Sequence, residues 1–80
     1  MMPEGWIKKN DKLLREFEFA DFKEAFRFLQ GVAFLAEEQA HHPEIYNVYN
    51  RISLQLSTHD AGNIVTEKDY NLAAAINKLL

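Results

Sequence analysis

The 80 residues carry 12 acidic and 9 basic side chains, for a net charge of −3, with 48% hydrophobic and 26% charged positions and no cysteine. Those proportions exclude a disordered chain, make nucleic acid a poor partner because little counterion release is on offer, and leave no disulfide or thiolate chemistry. No apolar run approaches the ~20 residues of a membrane span, and the opening Met1-Met2-Pro3-Glu4-Gly5-Trp6 lacks the basic and apolar regions of a signal peptide. The expectation is one cytoplasmic domain over residues 1–80, with a core small enough to favour self-association.

Gly5 to Phe19 reads as a hairpin, with Lys9-Asn10-Asp11-Lys12 as its polar turn. In the second arm Leu13, Phe17 and Phe19 take one side and Leu14, Glu16 and Glu18 the other, as the period of a strand requires. Arg15 interrupts the apolar side, which places that end near solvent. Asp21 and Glu24 have capping-box spacing. Helical spacing then puts Phe22, Ala25, Phe26, Leu29, Ala33, Ala36 and Ala40 on one stripe, with Phe28, Val32 and Leu35 on a second beside it. The combined arc is wide enough to need a second helix as neighbour. Pro43 disfavours helical geometry at His42, so the helix ends between Ala40 and His42.

Strand signals return from Glu44 to Thr58. Ile52, Leu54 and Leu56 alternate with Ser53, Gln55 and Ser57, and Ile45 to Tyr49 forms a shorter run with an unplaced turn near Asn47 or Asn50. A loop through Ala61-Gly62-Asn63 follows. Thr66 and Asp69 then cap a last helix with Leu72, Ala73, Ile76, Leu79 and Leu80 as its apolar positions. The order ββαββα, without βαβ alternation, predicts an α+β domain: two layers, a four-stranded antiparallel sheet with the helices on one face.

All three histidines, His41, His42 and His59, fall where a regular element ends. Such positions can mount a site on a rigid scaffold, and an imidazole can give and take protons near neutrality. Glu37, four residues before His41, is spaced to share its helical face and orient it. The plainer alternatives stay open: surface histidine, or histidine complementing a helix C-terminus. Adjacent His41 and His42 do not readily turn to one ion, so a metal site is disfavoured. On spacing alone Asp69 is a helix cap rather than an acid. Element-end histidines in an open cleft are also expected to contribute little to stability.

Glu37-Glu38-Gln39-Ala40-His41-His42-Pro43-Glu44, then Asn47-Val48-Tyr49-Asn50, then Thr58-His59-Asp60-Ala61-Gly62 resembles the pterin-4a-carbinolamine dehydratase family. Glu37, His41-His42-Pro43, Tyr49, His59 and Asp69 meet the family pattern in order, and Gly5-Trp6 with Phe17 to Phe26 extends the similarity over nearly the whole chain. Ile45 stands where the family often has Trp. The resemblance implies a homodimer or homotetramer. It implies loss of water from 4a-hydroxytetrahydropterin to give quinonoid dihydropterin, which recycles the cofactor of aromatic amino acid hydroxylases and makes a phenylalanine hydroxylase a metabolic partner. It implies catalytic His41, His42 and His59, with Glu37 and Asp69 in the same site and no metal or organic cofactor. The backbone of Ser57, Thr58 and Asp60 would offer hydrogen-bonding edges to a flat pterin. A non-catalytic dimerisation or interaction protein, and activity on a related pterin such as one of molybdenum-cofactor metabolism, are the alternatives.

Overall fold

The computed structural model describes residues 2–80. Strands β1 (Ile7–Lys9) and β2 (Lys12–Glu18) form the opening hairpin, followed by helix α1 (Phe22–Gln39), strands β3 (Glu44–Val48) and β4 (Arg51–Leu56), a short 3-10 turn (His59–Ala61) and helix α2 (Glu67–Asn77). The strands form one sheet in the order β1-β2-β4-β3, every neighbouring pair antiparallel. This is the expected α+β architecture. Among the described residues, no helix is long and apolar enough to cross a membrane.

Asn10 and Asp11, with φ of 53° and 61°, lie between the paired Lys9 and Lys12. Short polar side chains tolerate this left-handed geometry, which matches the twist of a tight hairpin. The unplaced second turn is Tyr49-Asn50, directly after the Val48–Arg51 pair. There the left-handed residue is the aromatic Tyr49, at φ 50°. The turn is held by Asn side chains. Asn47 Nδ2 donates to the Arg51 carbonyl (2.9 Å), and Asn50 Nδ2 donates to the Phe19 carbonyl (2.8 Å).

Register places Leu13, Arg15 and Phe17 of β2 opposite Leu56, Leu54 and Ile52 of β4. All but Arg15 are buried on the helical side. Ala25, Phe28, Leu29 and Val32 of α1 and Leu72, Ala73 and Ile76 of α2 complete the core. Phe17 and Phe28 meet at 4.8 Å between ring centroids, and Trp6 stands edge-on to Phe17 at 6.2 Å. Arg15 is half-buried rather than at an open strand end. Its guanidinium lies 4.8 Å over the Phe17 ring and donates to Glu4 O and Asn77 Oδ1. Gly5, at φ 84°, makes room for it, because a Cβ there would sit 2.5 Å from the Arg15 guanidinium carbon.

The apolar stripes of α1 are only partly used. The helix lies beside α2 as expected, but its buried face takes Ala25, Leu29 and Ala36 from one stripe and Phe28 and Val32 from the other. Phe22 and Phe26 stay about half exposed, packed on each other at 5.5 Å, and Ala33 and Ala40 face solvent. The underlying sheet and α2 together cover an arc narrower than the sequence supplies. Similarly, Leu79 and Leu80 lie beyond the end of α2 and are exposed, not part of its apolar face.

Candidate active site

Antiparallel pairing of Glu44 with Gln55 puts the start of β3 and the end of β4 at one end of the sheet. His41 and His42 precede β3 and His59 follows β4, so chain direction alone brings the three histidines to that end. Tyr49, which meets the same family pattern, is carried to the opposite end.

The turn into the histidine pair depends on one strained residue. α1 ends in a left-handed Ala40 (φ 52°, ψ 43°), with Ala40 N bonded to Glu37 O and His41 N bonded to Ala36 O at 3.0 Å. This is the paired bonding of a Schellman motif, usually built on glycine. Because the helix stops at Gln39, Glu37 and His41 never share a helical face, and the expected pair between them is corrected. Glu37 Oε2 instead meets His42 Nε2 at 2.6 Å, with both side chains well exposed.

His41 turns inward and is only 9% exposed. Its Nε2 donates to Asp69 Oδ1 at 2.6 Å, and Asp69 has no exposure at all. The other carboxylate oxygen accepts from Thr58 Oγ1 (2.8 Å) and from the backbone N–H of Thr66 (2.8 Å). The last bond belongs to the capping box of α2. Asp69 is therefore both the cap that spacing suggested and the partner of His41. It lies buried behind the histidine, with both carboxylate oxygens engaged by protein donors. Thr58, 6% exposed, is likewise spent inside the protein, and its Oγ1 lies 2.5 Å from Thr66 Oγ1. No described side-chain polar atom at this site is buried without a partner.

His59 opens the 3-10 turn and is exposed. Its Nδ1 lies 3.1 Å from Asn63 Oδ1. Gly62 at φ 91° and Asn63 at φ 61° fold the loop back so that this bond can form. The Thr58 N–H reaches Ile64 O at 2.8 Å, and the Thr58 carbonyl accepts from Ala61 N and Asn63 N. The backbone N–H and carbonyl of Thr58 are therefore both engaged within the loop. Ser57 is half-buried and Asp60 exposed, beside the same loop.

Each imidazole thus has one nitrogen engaged by an oxygen acceptor: Asp69 for His41, Glu37 for His42, Asn63 for His59. In the neutral ring, the engaged nitrogen carries the proton and the other is the base. The nitrogens left without such a partner are Nδ1 of His41 and His42 and Nε2 of His59. Sequence reasoning missed Thr66, Asn63 and the His42–Glu37 pairing. The capping-box spacing at Thr66 was a signal for the first but said nothing of a link to histidine. A hollow of about 480 Å³ lies elsewhere, on the open sheet face between Glu16, Glu18, Tyr46, Val48, Arg51 and Ser53, and no histidine lines it.

A four-stranded antiparallel sheet with helices on one face and a histidine cluster at one end defines a class that comparison makes specific. Residues 1–79 match the family model described as pterin 4 alpha carbinolamine dehydratase, and the chain belongs to that family. A Solibacter usitatus protein is 53% identical over 75 residues, covering 94% of this chain and 78% of its own. A Sulfolobus acidocaldarius protein is 46% identical over 76 residues, covering 95% and 82%. Both bear the dehydratase name provisionally. The crystal structure of a transcriptional coactivator/pterin dehydratase from Brucella melitensis superposes with a TM-score of 0.91 at 40% identity, covering 96% of this chain and 83% of that one. A pterin dehydratase-like protein described as a RuBisCO assembly factor of the alpha-carboxysome shares the fold at TM-score 0.79 and 24% identity, covering 95% and 89%.

Proposed function

We propose that this chain dehydrates 4a-hydroxytetrahydropterin by histidine acid–base catalysis, supplying quinonoid dihydropterin for re-reduction in the cycle of an aromatic amino acid hydroxylase. The observation that carries this is that the topology brings three imidazoles to one sheet end, each anchored through one ring nitrogen with no protein partner at the other. The reaction suits such a set. One imidazolium protonates the C4a hydroxyl, which leaves as water. A neutral imidazole takes the N5 proton, and the nitrogen electron pair forms the C4a=N5 bond. No covalent intermediate is required, and positioned proton transfer of this kind contributes about 10²–10⁴-fold.

His41 and His59 are the proton-transfer pair and His42 the binding residue. The test follows decay of the carbinolamine by absorbance with and without chelator. Turnover above the spontaneous rate is expected in both. His59→Ala should lower kcat by about 10²-fold, and His42→Ala should raise KM more than it lowers kcat. Only the spontaneous rate from folded protein would refute the reading.

The same reading includes self-association as a homodimer or homotetramer. Phe34 is 69% exposed, alongside half-exposed Phe22 and Phe26 on α1 and the exposed Ile45, Tyr46 and Val48 of edge strand β3. A small domain gains from covering such surface. Light scattering should give a multiple of 9.3 kDa at micromolar concentration. These surfaces also favour the second reading, an interaction protein. It predicts normal assembly when all three histidines are replaced and no turnover in the parent.

A further inference from the structure

Among the described residues, Thr58 is the one that touches the supports of both His41 and His59. Its hydroxyl is part of the buried network behind His41. Its backbone N–H and carbonyl tie down the loop that carries His59, through Ile64 O, Ala61 N and Asn63 N. At 6% exposure it has almost no surface to offer a ligand.

The hydrogen bonds also have a fixed direction. A carboxylate oxygen only accepts, so the single hydroxyl proton of Thr58 goes to Asp69 Oδ2. The 2.5 Å contact between the two threonine hydroxyls must then be donated by Thr66. Thr66 can do so, because the bond it receives from Lys68 N (3.3 Å) uses a lone pair and not its proton. Protons thus run from Thr66 to Thr58 to Asp69, and the other oxygen of Asp69 receives His41 Nε2–H at 2.6 Å. With two donors on Oδ2, the carboxylate plane is fixed, and Oδ1 is aimed at the histidine.

We propose that Thr58 is a positioning residue: its hydroxyl orients Asp69 so that His41 is held with the proton on Nε2 and Nδ1 free, while its backbone fixes the loop that carries His59. The proposal rests on the site reading above for its catalytic consequence, but its structural core can be tested without substrate. Thr58→Val keeps the shape and every backbone bond and removes only the hydroxyl. Thr58→Ser restores the hydroxyl without the methyl group.

The experiment records 15N–1H NMR spectra of the histidine rings for the parent, Thr58→Val and Thr58→Ser, with turnover measured on the same samples. The parent should show His41 as the Nε2-protonated tautomer. In Thr58→Val the His41 signals should move toward a mixture of tautomers while His59 is unchanged, and kcat should fall about tenfold with KM within about twofold. Thr58→Ser should recover both. Unchanged His41 signals in Thr58→Val overturn the proposal. So does a rise in KM at constant kcat, which would make Thr58 a ligand contact, and so does a Ser variant that behaves like Val, which would make the methyl packing decisive. Should Thr58→Val fail to fold, Thr66→Gly removes the upstream hydroxyl while keeping a competent helix N-cap, and the His41 spectrum must shift the same way. If the parent itself shows no turnover, the dehydratase reading fails, and the ring spectra still decide the role of Thr58.

Discussion

His41 and His42 are adjacent in the chain, and each holds a carboxylate at 2.6 Å, yet the pairs sit in different media. The His41–Asp69 side chains are 10% and 0% exposed, and the His42–Glu37 side chains 63% and 79%. In water a charged pair exchanges its partners for solvent at little cost. Inside the protein, deleting one partner strands the other among groups that cannot replace it. Equal distances therefore imply unequal energies. The buried pair belongs to the architecture as well as the site, whereas the exposed pair can serve the site alone.

Mutations at the two pairs test that contrast. Asp69→Ala removes the acceptor of three bonds at once and should cost about 3–5 kcal/mol in urea unfolding, with an unchanged denaturant slope. His41→Ala should cost about 2–3 kcal/mol by leaving the Asp69 carboxylate short of a donor. That cost departs from the sequence-based expectation that all three histidines contribute little to stability, because His41 is buried against Asp69. An Asp69→Ala midpoint within about 1 kcal/mol of the parent would remove the distinction between the pairs. The residue that separates the two environments is Ala40, held left-handed. Ala40→Gly should stabilise the fold by about 1 kcal/mol by relieving that conformation, and a lower melting temperature would show that the Ala40 methyl group is needed. The smallest effect is expected at the exposed pair, where Glu37→Ala should move stability by less than about 0.5 kcal/mol. A larger loss there would mean that the pair is shielded in an assembled state.

The strands and helices were legible because their spacings are local. Leu13 with Phe17, and Ile52 with Leu54 and Leu56, have no other way to turn their side chains together. The site was legible in its residues but not in its bonds. Asp69 reaches His41 across 28 positions, and no periodicity links a helix cap to the end of a different helix. Glu37 was assigned to the wrong histidine because the spacing rule assumes a helix that continues, and Ala40 ends it. Tyr49 matched a pattern written along the chain, but an antiparallel hairpin sends its two ends apart. The surplus apolar stripe on α1 could not be apportioned, since its coverage depends on neighbours that the helix does not encode.

The contacts made by Asn77 bear on how the molecule opens. Its side-chain oxygen accepts from Trp6 Nε1 at 2.9 Å and from Arg15, and its amide donates to the Glu4 carbonyl at 2.9 Å. Segments at the extremes of a chain ordinarily fray independently, and their amides exchange with solvent long before the core. Here residue 6 and residue 77 hold each other, and Trp6 is buried against Phe17. Releasing the last turn of α2 should therefore unseat Trp6 as well, so amides flanking Trp6 and Asn77 are expected to lose hydrogen-exchange protection together rather than separately.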